Sequence, residues 1–252
     1  MQKLLGLARR CIEDYRMLEP GDRVAVGLSG GKDSLLTLLV LARLREFLPV
    51  PYELTAVTLD LGVPGMDFSP VADYCASLGV PYTIEKSHIY QVIFEDRKEP
   101  NPCSLCAKMR RGALVRAAKE QGCNKLALGH HYDDAVETFA MSLLYEGRLA
   151  CFQPVTFLSR SGVTQIRPLL YVREARLERM EATLGLPVVK NACPADGHTK
   201  RQEAKELLAE LSLRYPDLRA HIFGAMQRLP LPYWGREGVS PDPSGERFDP
   251  GT

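Results

Sequence analysis

Apolar positions recur along this chain with two different periods. Two strand-like runs, 23–28 and 54–59, flank a stretch in which Leu35, Leu38, Leu39, Ala42 and Leu44 share one helical face, which predicts a helix over 34–47. Strand, helix, strand is the βαβ unit, and such units build parallel sheets with helices on both faces. The alternation continues. A helix over 70–78 leads through Gly79 into a strand at 82–85, and a helix over 108–121 leads through Gly122 into a strand at 125–128. A further helix is predicted over 134–145.

Past Gly147 the texture changes. Extended pieces at 153–158 and 163–166 flank Ser159-Arg160-Ser161-Gly162, which reads as a hairpin turn. Helices are predicted over 173–184, 201–214 and 218–229. Residues 1–15 carry Arg9, Arg10, Glu13 and Asp14 among apolar positions, the pattern of an amphipathic helix. The expected organisation is an N-terminal helix at 1–20, an α/β core at 21–147 and a smaller, mostly helical C-terminal part at 148–234. Residues 235–252, rich in Gly, Pro and charge, are expected to form a mobile tail. No internal repeat is visible.

Composition narrows the functional classes. The longest apolar run, 35–44, is interrupted by Thr37 and Arg43 and falls short of the roughly 20 residues a membrane span needs. The N-terminus lacks the unbroken apolar centre of a signal peptide. A cytoplasmic protein is expected, with its seven cysteines reduced. Net charge is only +1, so no global field attracts nucleic acid, and an RNA partner would have to be held by a local patch.

The first strand runs into Ser29-Gly30-Gly31-Lys32-Asp33-Ser34 at the start of a helix. Glycines let that backbone turn its N–H groups onto an anion, and the helix N-terminus and Lys32 add positive charge. A Walker A loop would need Gly at position 26 and Ser or Thr at position 33, where Val26 and Asp33 stand. The dinucleotide fingerprint is missing too. SGGKDS after a buried strand instead resembles the PP-loop ATP-pyrophosphatases, which implies cleavage of ATP between the α and β phosphates. Asp33 suits Mg²⁺ better than bare phosphate. Gly129-His130-His131-Tyr132-Asp133-Asp134 ends a later strand and opens a helix, so it can face the same crevice. Asp133 or Asp134 can carry the metal or cap the helix. Asp60, at the end of the second strand, is where related proteins place adenine and ribose.

Cys103-Ser104-Leu105-Cys106 opens a helix, and Cys193 lies far downstream. A thioredoxin-like redox pair would need a strand just before it, and 95–102 is charged and proline-punctuated. Zinc would need a fourth ligand, for which His198 is available. An iron–sulfur cluster would use the three thiolates and leave one iron open. Cys11, Cys75, Cys123 and Cys151 sit singly in apolar or helical settings and read as packing residues.

PNPCSLCAKMRRG, GHHYDDAVETF, IRPLLYVRE and a late cysteine followed by KRQEAK and RYPDLRAHIFGAMQRL occur in that order. From about 21 to 232 the chain closely resembles the TtcA family of tRNA 2-thiocytidine synthetases. That resemblance implies a [4Fe-4S] cluster on Cys103, Cys106 and Cys193 and favours iron over zinc. It implies ATP bound by Ser29, Gly30, Gly31, Lys32, Asp33, Ser34, Asp60, Gly129, Asp133 and Asp134, with Mg²⁺. Asp33, Asp134 and Cys193 are the implied catalytic residues. The implied partners are tRNA, a cysteine desulfurase or other sulfur donor, and a second copy of the chain in a homodimer. Arg110 and Arg111, one helical turn past Cys106, are the leading RNA contacts. Others are Lys108, Arg148, Arg160, Arg167, Arg173, Arg176, Lys200 and Arg201. Phe152 and Tyr171 can stack on an unpaired base, although core packing is the expected use of both. Two rival functions remain: a PP-loop enzyme thiolating or amidating a small molecule, and a Cys₃His zinc protein with a vestigial nucleotide loop.

Overall fold

The computed structural model describes residues 1–97, 102–189 and 200–228, excepting the side chains of Cys103 and Ser104. The elements run α1 (Gln2–Asp14), β1 (Asp22–Leu28), α2 (Lys32–Leu44), β2 (Tyr52–Asp60), α3 (Ser69–Ser77), β3 (Tyr82–Lys86) and α4 (Pro102–Glu120). They continue with β4 (Lys125–Ala127), α5 (Tyr132–Glu146), β5 (Val155–Leu158), β6 (Val163–Ile166), α6 (Glu174–Leu184), α7 (Lys200–Arg214) and α8 (Leu218–Arg228). Six strands form one sheet in the order β3-β2-β1-β4-β6-β5. All neighbours are parallel except the edge strand β5, which returns antiparallel to β6 through the predicted hairpin.

β1 is the sheet's axis. Val24 stands opposite Leu54 on one side and Lys125 on the other, and Val24, Ala25 and Val26 are completely buried. Strands covered on both faces read as near-continuous apolar runs, which is why this one was visible in the sequence. On one face α2 buries nearly every residue from Ser34 to Leu44. α1 covers it with Leu4, Ala8, Cys11 and Ile12, a single helical stripe. On the other face α4 supplies Val115, Ala117 and Ala118 against Ala25, Val57 and Leu126. The expected α/β sheet with helices on both faces is the observed fold, and the helical C-terminal part is present.

Some elements depart from the periodicity reading. α4 begins at Pro102 rather than near 108, because proline suits a first helical turn and the polar CxxC turn carries no apolar periodicity. β5 is shorter than 153–158, starting at Val155. A π-helical turn at Gln91–Asp96, unseen in the sequence, anchors the β3–α4 connection by burying Ile93 beside Leu59 and Ile89. Among the described residues no helix is long and apolar enough to cross a membrane. The expected tail at 235–252 lies outside the described residues.

Candidate active site at the carboxyl ends of the strands

The loops after β1, β2 and β4 converge on a cavity of about 440 Å³. Such crevices beyond the carboxyl ends of parallel strands are where ligands bind in open α/β sheets. Ser29, Gly31, Asp33 and Ser34 line it, with Asp60, Arg110, Gly129, His130 and Asp134. Leu59, Met66, Phe68 and Leu114 supply an apolar wall.

Two hydroxyls hold the first loop in shape. Ser34 Oγ accepts from the Ser29 amide at 3.2 Å and donates to the Gly31 carbonyl at 2.8 Å, while Ser29 Oγ accepts from the Gly31 amide at 3.3 Å. Gly30 takes φ +82°, and a Cβ there would lie 2.9 Å from that of Val189. α2 then starts with no side-chain cap, so its first N–H groups remain available to an anion. Gly30 and Lys32 are not cavity-lining. Lys32 Nζ lies between Asp33 Oδ2 (3.4 Å) and Glu174 Oε1 (3.8 Å). Asp33 has one buried carboxylate oxygen, Oδ1, with no partner. Burial raises its pKa, against the pull of Lys32. An orphaned, desolvated carboxylate oxygen beside an anion-binding helix end fits a divalent cation bridging to phosphate.

The second loop is bound to the first by close approach. A Cβ on Gly129 would sit 2.9 Å from the Asp33 carbonyl carbon and 3.0 Å from the Ser34 amide nitrogen. Gly129→Ala should therefore displace the phosphate loop. We expect ATP affinity to fall by at least about tenfold and stability by about 1–3 kcal/mol, the usual cost of overpacking. Nucleotide titration and thermal melts of the variant check this.

α5 opens with a capping box in which Asp134 accepts from the His131 amide at 3.0 Å and His131 accepts from that of Asp134. Asp134 stays at the cavity, its other oxygen 3.2 Å from Arg201. Asp133 turns away. Its Oδ2 accepts from the Glu174 amide at 2.8 Å and its Oδ1 pairs with Arg219 at 3.1 Å, so it fastens α6 and α8 to α5. Asp60 lines the cavity, with Oδ1 accepting from Gly62 at 2.9 Å.

Sequence reasoning passed over His130. Its ring lies 4.8 Å from that of Phe152, its Nδ1 is buried without a partner, and burial depresses its pKa to about 4, so it is neutral near pH 7. The doubled histidine before Asp133 was the available signal.

The cysteine segment approaches the cavity on α4. Cys106, Arg110 and Leu114 follow one another at i, i+4 and i+8, and Arg110 and Leu114 line the cavity. Cys106 packs with Leu59, Ile89 and Ile93. Cys103 is in the first turn of α4, and Cys193 and His198 lie outside the described residues. Both flanks of the Cys193 segment are tied to the nucleotide loops. Upstream, the Val189 amide donates to the Gly30 carbonyl at 3.0 Å. Downstream, Arg201 reaches Asp134, Glu137 and Thr138. Arg201, one of the basic residues of the later helices named as possible phosphate contacts, is thus engaged by carboxylates. Arg111 is exposed and does not line the cavity.

Comparison with known proteins agrees with this geometry. The PP-loop domain family matches residues 6–209. The tRNA-cytidine(32) 2-sulfurtransferase of Alkalilimnicola ehrlichii is 44% identical over 232 residues, covering 90% of this chain and 73% of that protein. The protein of the same name from Pelobacter propionicus is 40% identical over 231 residues, 90% of this chain and 86% of that one. Among solved structures, the U34-tRNA thiolase NcsA of Methanococcus maripaludis, with its [4Fe-4S] cluster, superposes with a TM-score of 0.73 at 26% identity, over 88% of this chain and 77% of that one. NH3-dependent NAD synthetase from Campylobacter jejuni shares the fold at 20% identity and a TM-score of 0.50, over 90% of this chain and 93% of that one. With a nucleotide loop, a capped second loop and a cysteine helix arranged around one cavity, this chain belongs to the TtcA family of PP-loop proteins, that of the tRNA-cytidine 2-sulfurtransferases.

Proposed function

We propose that this chain is an ATP-dependent tRNA sulfurtransferase that replaces the C2 oxygen of a cytidine with sulfur. The observation that carries the reading is the face of α4 on which Cys106 precedes Arg110 and Leu114, two residues of the nucleotide cavity wall. It puts Cys106 and two residues of the nucleotide cavity wall on one rigid element.

The uncapped start of α2, with the Ser29 and Ser34 hydroxyls shaping the loop, binds the β and γ phosphates. Asp33 and Asp134 would hold Mg²⁺, which would supply charge neutralisation for cleavage of ATP between the α and β phosphates. The C2 oxygen of the base attacks the α phosphorus, the bond to the bridging oxygen breaks, and pyrophosphate leaves. AMP now makes that oxygen a good leaving group. A sulfur nucleophile forms a bond to C2, the C2–O bond breaks, and AMP departs carrying the oxygen. Cys103, Cys106 and Cys193 would hold a [4Fe-4S] cluster, whose uncoordinated iron can carry exogenous sulfide. The apolar wall of Leu59, Phe68 and Leu114 excludes water from the adenylate. Arg110, at the cavity, offers charge to the RNA or to the leaving phosphate. A sulfur donor such as a cysteine desulfurase and a homodimeric assembly belong to the same reading.

Protein purified without oxygen should contain about four irons and four acid-labile sulfides per chain, lost in Cys193→Ala. Wild type should form AMP and transfer sulfur to unmodified tRNA. Stoichiometric zinc without sulfide would sink the sulfur chemistry while leaving the ATP site. Thiolation of a small molecule with tRNA inert would favour the rival substrate class.

A further inference from the structure

Beside the nucleotide cavity lie two others that share a residue. The larger, about 630 Å³, is walled by the rings of Tyr15, Phe139, Phe152, Tyr171 and Phe223. The smaller, about 300 Å³, is lined by Lys3, Arg173, Arg176 and Arg179, with no acidic residue on its wall. Tyr171 lines both. Among the described residues none of these four cations has a carboxylate within ion-pair distance. Arg173 stacks over Tyr132 at 4.4 Å, and Lys3 and Arg179 are exposed. In a chain of net charge +1, an RNA partner needs such a local cluster of unpaired cations.

From the juxtaposition of these cavities we infer an RNA-docking groove along α1 and α6, in which Lys3, Arg173, Arg176 and Arg179 hold backbone phosphates and the aromatic cavity takes an unpaired base. The inference rests on the tRNA reading above and adds where the RNA lies. Unpaired bases are recognised by stacking on aromatic rings, and phosphates by Arg and Lys. A membrane surface or an acidic peptide would use the cations but has no need of a ring-walled cavity. The Tyr15 and Tyr171 rings lie 5.8 Å apart, tilted by 59°, and their hydroxyls are already paired, with Gln227 and Asp14. The rings therefore form a wall whose polar ends point to protein.

The groove adjoins the catalytic cavity at two places. Phe152, on the aromatic wall, packs on His130, which lines the nucleotide cavity. Arg173 precedes Glu174, which faces Lys32 of the phosphate loop. A strand held here presents a neighbouring nucleotide to the ATP site. Arg110 and Arg111, the leading RNA contacts by sequence, lie on α4, and neither lines this groove.

The test uses the full chain and an unmodified tRNA transcript. Arg176→Ala/Arg179→Ala should weaken tRNA binding by about tenfold near 0.1 M salt and lower the slope of log affinity against log salt by about 1.5. ATP binding should not change. Tyr171→Ala should weaken tRNA binding by about tenfold with the salt slope unaltered, and Tyr171→Phe should restore it, because an uncharged stack releases no counterions. Arg116→Ala/Lys119→Ala, on α4, should leave both quantities alone. If wild type binds tRNA and the Arg176/Arg179 variant binds it equally well with the same slope, the groove is wrong and the function stands. If wild type binds ATP but no tRNA, both fall. Loss of binding to anionic vesicles rather than to tRNA overturns the groove in favour of a lipid surface.

Discussion

Asp33→Asn should reduce AMP formation by about a thousandfold while leaving the melting temperature undiminished. The activity follows from charge. Asp33 presents an unpartnered oxygen at the phosphate-binding end of α2. A metal clamp contributes several kcal/mol, and each ~1.4 kcal/mol is a factor of ten in rate. The stability follows from burial. A desolvated carboxylate costs the fold more than a neutral amide of the same shape. The sign of the pH dependence is fixed by the raised pKa of Asp33. Between the unfolded and the folded pKa the native state binds more protons, so Asp33 removes stability as pH rises through that window and restores it in acid. The advantage of Asn over Asp should grow from acid to neutral pH. Melts at several pH values, with AMP release at saturating ATP, check both halves. Activity within tenfold of wild type would remove Asp33 from the metal site.

Lys125→Met should lower stability by about 3–5 kcal/mol, or roughly 10 °C in melting temperature for a chain of this size. Lys125 opens β4 and Asp22 opens β1, at the sheet's amino-terminal rim, opposite the nucleotide cavity. Their charged atoms are 2.9 Å apart and almost fully buried, and Lys125 also donates to the Met17 carbonyl at 2.9 Å. Removing the lysine leaves the Asp22 carboxylate without its cation, holding only the Glu19 amide and the Asn124 side chain. Lys125→Met/Asp22→Leu should recover much of the loss, because an apolar pair replaces both charges. Denaturant titration of the single and double variants measures the coupling. A single variant as stable as wild type would mean the pair contributes nothing.

The βαβ alternation was legible because strands sandwiched between helices have little choice but to be apolar, and SGGKDS because few other sequences put glycines, a lysine and a helix start in that order. What escaped is what only the fold brings together. Asp133 and Asp134 are equivalent in sequence, yet one residue of rotation about α5 sends the first to Arg219 and Glu174 and keeps the second at the cavity. Arg201 sits in a run of polar residues that looks solvated, and α7 brings it onto Asp134. Lys125 reads as an ordinary strand-opening residue, and nothing local announces its partner at position 22. Phe152 and Tyr171, expected in the core, are half-buried on cavity walls because the core is already filled by α1, α2 and the strands. The π-helical turn has the composition of any short amphipathic helix; the Arg97 amide bonding back five residues to the Val92 carbonyl marks it.

The central position of β1 bears on how the protein is made. Its partner β2 follows after one helix, but β4, which pairs along its other edge at Val24–Val26, follows after roughly 100 residues. At about 5–20 residues per second of synthesis, that edge waits roughly 5–20 s for its partner. Throughout that interval a strand apolar on both faces offers unpaired backbone groups to any extended segment nearby, including another nascent chain. The phosphate loop leaves the ribosome roughly 100 residues before it can be fixed in place, because Gly129, whose bare backbone packs against it, arrives with β4.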